Sequence, residues 1–237
     1  MKSGFLKNLI KSQAVLILFV LLFILFSIFI PYFFSSNNLM NILKQSSIIG
    51  IVACGLTMTV IAGNVDLSVG SVVSLCAVIS LSISNRSVWL AILIPIILAI
   101  IIGMVNGLLV TKFNSNSVMI TLGSMIILQG IALIYTKGGV IAGTRTSAYN
   151  LLGTASFKRF SLYILIFIVI AVILEIILNY TSLGRFIYLS GSNYQASRIA
   201  GVNIDNIKIY TFIIGSVCVA LAAIILSARL SSRPFIK

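Results

Sequence analysis

Asp66, Glu175 and Asp205 are the only acids in the chain, and it contains no histidine. General acid–base catalysis and metal binding draw first on histidine, then on carboxylates. Little enzymatic chemistry is therefore open to this sequence. Cys54, Cys76 and Cys218 all lie inside apolar runs, without a C-x-x-C spacing, and read as small buried hydrophobes. No G-x-x-x-x-G-K-[ST] string occurs, so the chain has no phosphate loop for ATP. The acid with unusual surroundings is Asp66. An apolar stretch, Ser47–Ala62, breaks at Gly63-Asn64-Val65-Asp66 and resumes as Leu67–Ile83. A charge at the centre of a membrane span costs about 2.5–3.5 kcal/mol on insertion scales. At the end of a segment that cost falls, because the carboxylate can accept from the free N–H groups of the following helix, as an N-cap does. Non-helical backbone at membrane depth survives only where it is buried in protein or lines water, and interrupted helices lie beside substrate in several transporter folds. Asp66 thus has two compatible roles, helix cap and pathway residue. Thr57, Asn64 and Ser68 are its companions in the second. Glu175, near the inner end of its span, can snorkel to the interface or pair with Arg185.

The elements that must position these residues are set by composition. Of 237 residues, 60% are hydrophobic and 8% charged, against about 25% charged in soluble domains. The mean hydropathy of +1.21 makes lipid the main solvent. Apolar segments that read as candidate spans occur at Ala14–Ile30, Ser47–Ala62, Leu67–Ile83, Val88–Val110, Val118–Tyr135, Phe160–Leu178 and Ile209–Ala228. The first follows Lys2, Lys7 and Lys11 but is succeeded by Pro31-Tyr32-Phe33-Phe34, not by a small-residue cleavage site. It reads as an uncleaved first helix with a cytoplasmic amino terminus. Pro95 bends the fourth run, and Gly103 with Gly107 forms a G-x-x-x-G contact motif. The expected fold is all-α: a polytopic transmembrane helical bundle of about seven spans with a broken second/third helix. Residues 1–237 form one transmembrane domain.

The net charge of +13 comes from cations scattered singly between apolar runs, a pattern that excludes a nucleic-acid partner and fits basic loops flanking a lipid bilayer. With the amino terminus inside, inner loops hold seven cations and outer segments nine, so charge alone does not orient the chain. Lys137–Arg159 is the longest outer loop and carries four cations, as would suit either a solvated connection or a partner surface. Asn193–Lys208 is too polar to cross. Ser192 or Asn193 is placed to cap a short helix through Arg198 that Gly201 ends, and Asp205 is placed to cap the next span.

Three strings, in order, resemble the ribose-type permease family of bacterial ATP-binding-cassette sugar importers. The first runs from Asn41 to Gly70 and closes on Asp66-Leu67-Ser68-Val69-Gly70. The second is Ile120-Thr121-Leu122-Gly123-Ser124-Met125 with Gly130 and Gly138-Gly139. The third is Gly191-Ser192-Asn193 with Ala196, Arg198 and Ala200-Gly201-Val202, closing on Ala228-Arg229-Leu230. The resemblance implies a non-enzymatic permease in the bacterial inner membrane that carries a ribose-like monosaccharide. It implies a second permease copy or close relative, an extracytoplasmic sugar-binding protein, and a cytoplasmic ATPase that binds the ATP, so that this chain needs no cofactor. It assigns Gly191, Asn193, Ala196, Arg198, Ala200 and Gly201 to the loop that docks on the ATPase. Members of the family continue past the string matched at Arg229-Leu230 with further membrane helices, so the chain is expected to lack its C-terminal helices. The competing classes are a secondary transporter of a small polar solute, which would need no docking loop, and a membrane scaffold, which would need no broken helix.

Overall fold

A computed structural model describes residues 13–139, 141, 148–157, 160–192 and 203–231. Among them are nine helices: α1 (Ala14–Phe29), α2 (Ser36–Ile61), α3 (Val69–Ile83), α4 (Val88–Lys112), α5 (Ser117–Thr136), α6 (Asn150–Thr154), α7 (Leu162–Tyr180), α8 (Ser182–Ser192) and α9 (Ile204–Ser231). Two two-residue strands, β1 (Ser156–Phe157) and β2 (Phe160–Ser161), pair antiparallel before α7. Five helices, α2, α4, α5, α7 and α9, are long and apolar enough to cross a membrane. The all-helical membrane bundle expected from the sequence is the fold observed.

The chain divides into two compact units, Met1–Gln45 and Ser46–Lys237. In the first, α1 turns into the start of α2 through Tyr32, whose φ of 61° places it in the left-handed region. Phe23 packs edge-on against Phe33 at 5.4 Å, and the Asn38 amide donates to the Phe33 carbonyl at 2.7 Å.

In the second unit α9 is the central and most buried helix. It reaches that position through small residues. A Cβ on Gly103 would lie 2.7 Å from the Phe212 carbonyl oxygen, and one on Gly107 would lie 2.8 Å from the Ile209 Cα. The G-x-x-x-G pair of α4 is therefore a contact between backbones, as the spacing suggests. Gly55 of α2 is pressed in the same way onto Gly215 and Cys218. Around these contacts Val72, Leu75 and Cys76 of α3 meet Ala99 and Ile102 of α4, Leu128 and Ala132 of α5, and Val219, Ala220 and Ala223 of α9.

The ends of several elements differ from the sequence expectation. α2 begins at Ser36, not Ser47, because Asn37, Asn38, Asn41, Lys44 and Gln45 continue the helix without apolar character. Tyr180–Ser192 contains α8, which leaves α7 at Thr181. The Thr181 hydroxyl accepts from the Gly184 N–H at 3.2 Å and donates to the Ile177 carbonyl at 2.6 Å. Ser192 is the last residue of α8, its hydroxyl donating to the Leu189 carbonyl at 3.2 Å, and the short helix expected after it lies outside the described residues. At the start of α9, Asn203 is the cap, its Oδ1 accepting from the Asn206 N–H at 3.2 Å. Asp205 lies exposed inside the first turn.

Candidate functional site

The interruption between α2 and α3 begins with a defined helix stop. Gly63 has φ 80°, the Asn64 N–H reaches back to the Thr59 carbonyl at 2.9 Å, and the Gly63 N–H reaches Val60 at 3.0 Å. This is the left-handed glycine ending of a helix, which uses carbonyls that would otherwise be left without donors. The chain then runs extended, and burial alternates: Asn64, Asp66 and Ser68 are buried, while Gly63, Val65 and Leu67 face outward. Period-two alternation is the signature of a strand, but this strand has a helix for its neighbour. The Val65 N–H donates to Ser117 Oγ and the Leu67 N–H to Thr121 Oγ1, both at 3.0 Å. Two hydroxyls one turn apart on α5 serve alternate amides of the segment, because one helical turn and two extended residues are close in length.

The inward face forms one continuous network. Asp66, 6% exposed, accepts at Oδ1 from the Ser68 N–H (2.9 Å) and the Ser68 hydroxyl (2.6 Å). Ser68 Oγ accepts from the Asn106 amide of α4 at 3.1 Å. Asn106 Oδ1 accepts from Ser124 Oγ of α5 at 2.5 Å. Donors thus point along one direction, from Ser124 through Asn106 and Ser68 to the carboxylate, and each member is satisfied by the next. Such a fully connected network is rigid, and a partly satisfied one is costly. Asp66 also lies off the amino-terminal end of α3, where the helix dipole favours negative charge.

The carboxylate therefore holds the break, but not in the way the sequence suggested. It does not cap the first N–H groups of α3. It bonds Ser68, the residue before the helix, in a local turn that aspartate side chains form readily. Asn64 donates to the Ala62 carbonyl at 3.2 Å. Thr57 is apart from this group: it is exposed on α2, with its hydroxyl bonded to Ala53 at 2.8 Å. Of the four pathway candidates the structure joins Asp66 and Ser68 in the network, places Asn64 beside them, and leaves Thr57 elsewhere. Ser117, Thr121, Ser124 and Asn106 complete the site and were not singled out as site residues. Their signal was present: 117, 121 and 124 fall on one face of α5.

Gly191, at the end of α8, meets the same region. A Cβ there would collide with the Ile61 carbonyl oxygen and would lie 3.3 Å from the Gly63 nitrogen. Asn193, Ala196, Arg198, Ala200 and Gly201 lie outside the described residues. Glu175 is exposed on α7 and accepts from Asn179 one turn on. Among the described residues no group of three His, Cys, Asp or Glu side chains is placed to hold a metal ion.

A helical bundle around a glycine-contacted central helix, with five helices long and apolar enough to cross a membrane and an interruption held by hydrogen bonds, is that of a polytopic membrane protein. The family described as "Branched-chain amino acid transport system / permease component" matches residues 38–236, and the chain belongs to it. The ribose import permease protein RbsC of Haemophilus influenzae is 33% identical over 229 residues, covering 94% of this chain and 71% of that protein. The RbsC protein of Escherichia coli strain K12 is 34% identical over 233 residues, covering 96% and 73%. The L-arabinose transport system permease protein AraH of the same strain is 32% identical over 234 residues, covering 98% and 71%. No solved structure matches the chain.

Proposed function

We propose that this chain is the membrane-spanning permease subunit of a bacterial inner-membrane importer for a ribose-like monosaccharide, driven by a separate ATPase that binds the ATP. The observation that carries the reading is the α2–α3 interruption, with the Val65 and Leu67 amides bonded to α5 hydroxyls and the Asp66 carboxylate bonded to Ser68, in a chain similar along nearly its whole length to permeases for ribose and arabinose. The family description speaks of amino acids, whereas these relatives carry sugars.

In this reading the broken segment is a fixed element beside the passage. Asn64, Asp66 and Ser68 hold its shape, and Thr57 borders the passage from α2. The loop that follows Gly191 docks on the ATPase. Because Gly191 seats on Ile61 and Gly63, motion of that loop reaches the break directly. A sugar-binding protein delivers the cargo on the opposite side, and a second permease copy or close relative completes the passage. Deleting the gene from its host and measuring uptake of labelled ribose, arabinose and leucine tests the reading. Loss of pentose uptake with leucine uptake unchanged is expected. Loss of leucine uptake with pentose uptake intact would overturn it.

A further inference from the structure

At the end of the second unit remote from the break, one phenol ties three helices together. Tyr149 is 0% exposed. Its oxygen lies 2.5 Å from Ser80 Oγ of α3 and 2.6 Å from Ser227 Oγ of α9, and donates to the Ile224 carbonyl at 2.9 Å. Ser80 Oγ in turn donates to Ala91 of α4 at 2.7 Å. The ring packs with Ala91, Ile224 and Ala228. The residues that follow form α6, whose five residues are too few to be helical on their own. Docking holds it: Ser231 Oγ donates to Asn150 Oδ1 at 2.6 Å, and Gly153 lies so flat on Ala228 that a Cβ would sit 2.5 Å from its carbonyl carbon.

The proton count at this junction differs in kind from that at Asp66. Each hydroxyl has one proton to give. Ser80 can give its proton to Ala91, and Ser227 can give its proton to Ile224 at 2.9 Å. Both serines are therefore satisfied without the tyrosine. If Tyr149 leaves, no buried donor is orphaned, and water can take up the phenol. At the break the opposite holds, since removing any member strands its neighbour. One junction is built to stay closed, and the other can open and reclose without leaving unpaired groups behind.

We propose that Tyr149 and α6 form a releasable latch that closes the end of the bundle opposite the break, and that its undocking from α3, α4 and α9 is a step of the transport cycle. This rests on the permease reading, in which the latch faces the side where cargo arrives. The test uses the assembled importer in intact cells, in a background with Cys54, Cys76 and Cys218 replaced. Ser80→Cys puts a near-isosteric thiol beneath the latch, and a small membrane-impermeant maleimide reports its exposure. Asn150→Cys with Ser231→Cys, oxidised by copper phenanthroline, pins α6 to α9. The latch predicts that position 80 is labelled during turnover and that pinning slows labelling about tenfold or more, as expected when a minor open state is removed. Reduction with dithiothreitol should restore labelling. Pinning should also stop ribose uptake. Labelling that is unaffected by pinning, or absent while ribose uptake proceeds, would overturn the latch and leave the sugar reading standing. Labelling suppressed by pinning in cells that take up no ribose would support the latch and overturn the sugar reading.

Discussion

Thr121→Val is the sharpest probe of how the break is held. Valine matches threonine in shape, so packing at this 0% exposed position is retained. What is lost is Oγ1, the acceptor for the Leu67 N–H at 3.0 Å. The hydroxyl's own proton goes to the Ser117 carbonyl at 2.8 Å, which the helix already engages, so that side of the exchange is close to neutral. The remaining cost is one backbone donor without a partner, about 1–3 kcal/mol when it is shielded from water. For a chain of this length each kcal/mol moves the melting temperature by about 2–4 °C, so a fall of about 2–12 °C follows from the same two ranges. Thr121→Ser keeps the oxygen and should recover most of the loss. The measurement is thermal melting of the purified protein in detergent, wild type and both variants side by side. A valine variant melting within a degree of wild type would mean that water reaches the Leu67 amide, and the argument that α5 hydroxyls hold the break would fail. So would a serine variant as unstable as the valine one.

Two further substitutions test the same region from other sides. Asp66→Asn keeps an oxygen for both Ser68 bonds, whereas Asp66→Ala leaves the Ser68 N–H and hydroxyl without their acceptor, at about 1–3 kcal/mol for each group stranded. Thermal melting should therefore rank wild type and asparagine close together and alanine well below. An asparagine variant as unstable as alanine would show that the charge, not the hydrogen bonding, is what matters. Gly191→Ala drives a methyl group into the Ile61 carbonyl and should cost about 1–3 kcal/mol through overpacking, while Gly130→Ala, with nothing within 4 Å, should be neutral or slightly stabilising. Equal melting temperatures for the two alanine variants would remove the argument that α8 is seated on the break.

Much of this architecture was open to a reading of the sequence, for definite physical reasons. Apolar runs locate the spans because lipid admits few alternatives. The Gly103–Gly107 spacing indicated backbone contact, and Asp66 announced the interruption by being an acid among apolar neighbours. What escaped were features that depend on partners remote along the chain. Ser117 and Thr121 look like ordinary polar residues opening a span until the strand they serve is placed against them. Tyr149 looks like a residue of a polar loop, yet its environment is built from residues 69 and 78 positions away. α8 was hidden because an amphipathic helix of eleven residues is too short to register as a span. The helical start of α2 was hidden by its asparagines.

The bonds that hold the break have a consequence for how the protein is made. Val65 and Leu67 find their acceptors 52 and 54 residues further along the chain. While residues 63–68 emerge from a ribosome, those acceptors do not yet exist. At about 5–20 residues per second, the segment waits roughly 3–10 seconds before α5 arrives. α3, with 15 residues and about 1.5 Å of rise each, is too short to span a hydrocarbon layer of about 30 Å and cannot settle alone in the meantime. α2, with 26 residues, is long enough to cross by itself, but α3 and the segment before it cannot be released into lipid as a finished helix. That part must be retained at the site of insertion, still hydrated, until α4 and α5 have been synthesised, so that residues 63–68 and α3 through α5 enter the membrane as one cooperative unit.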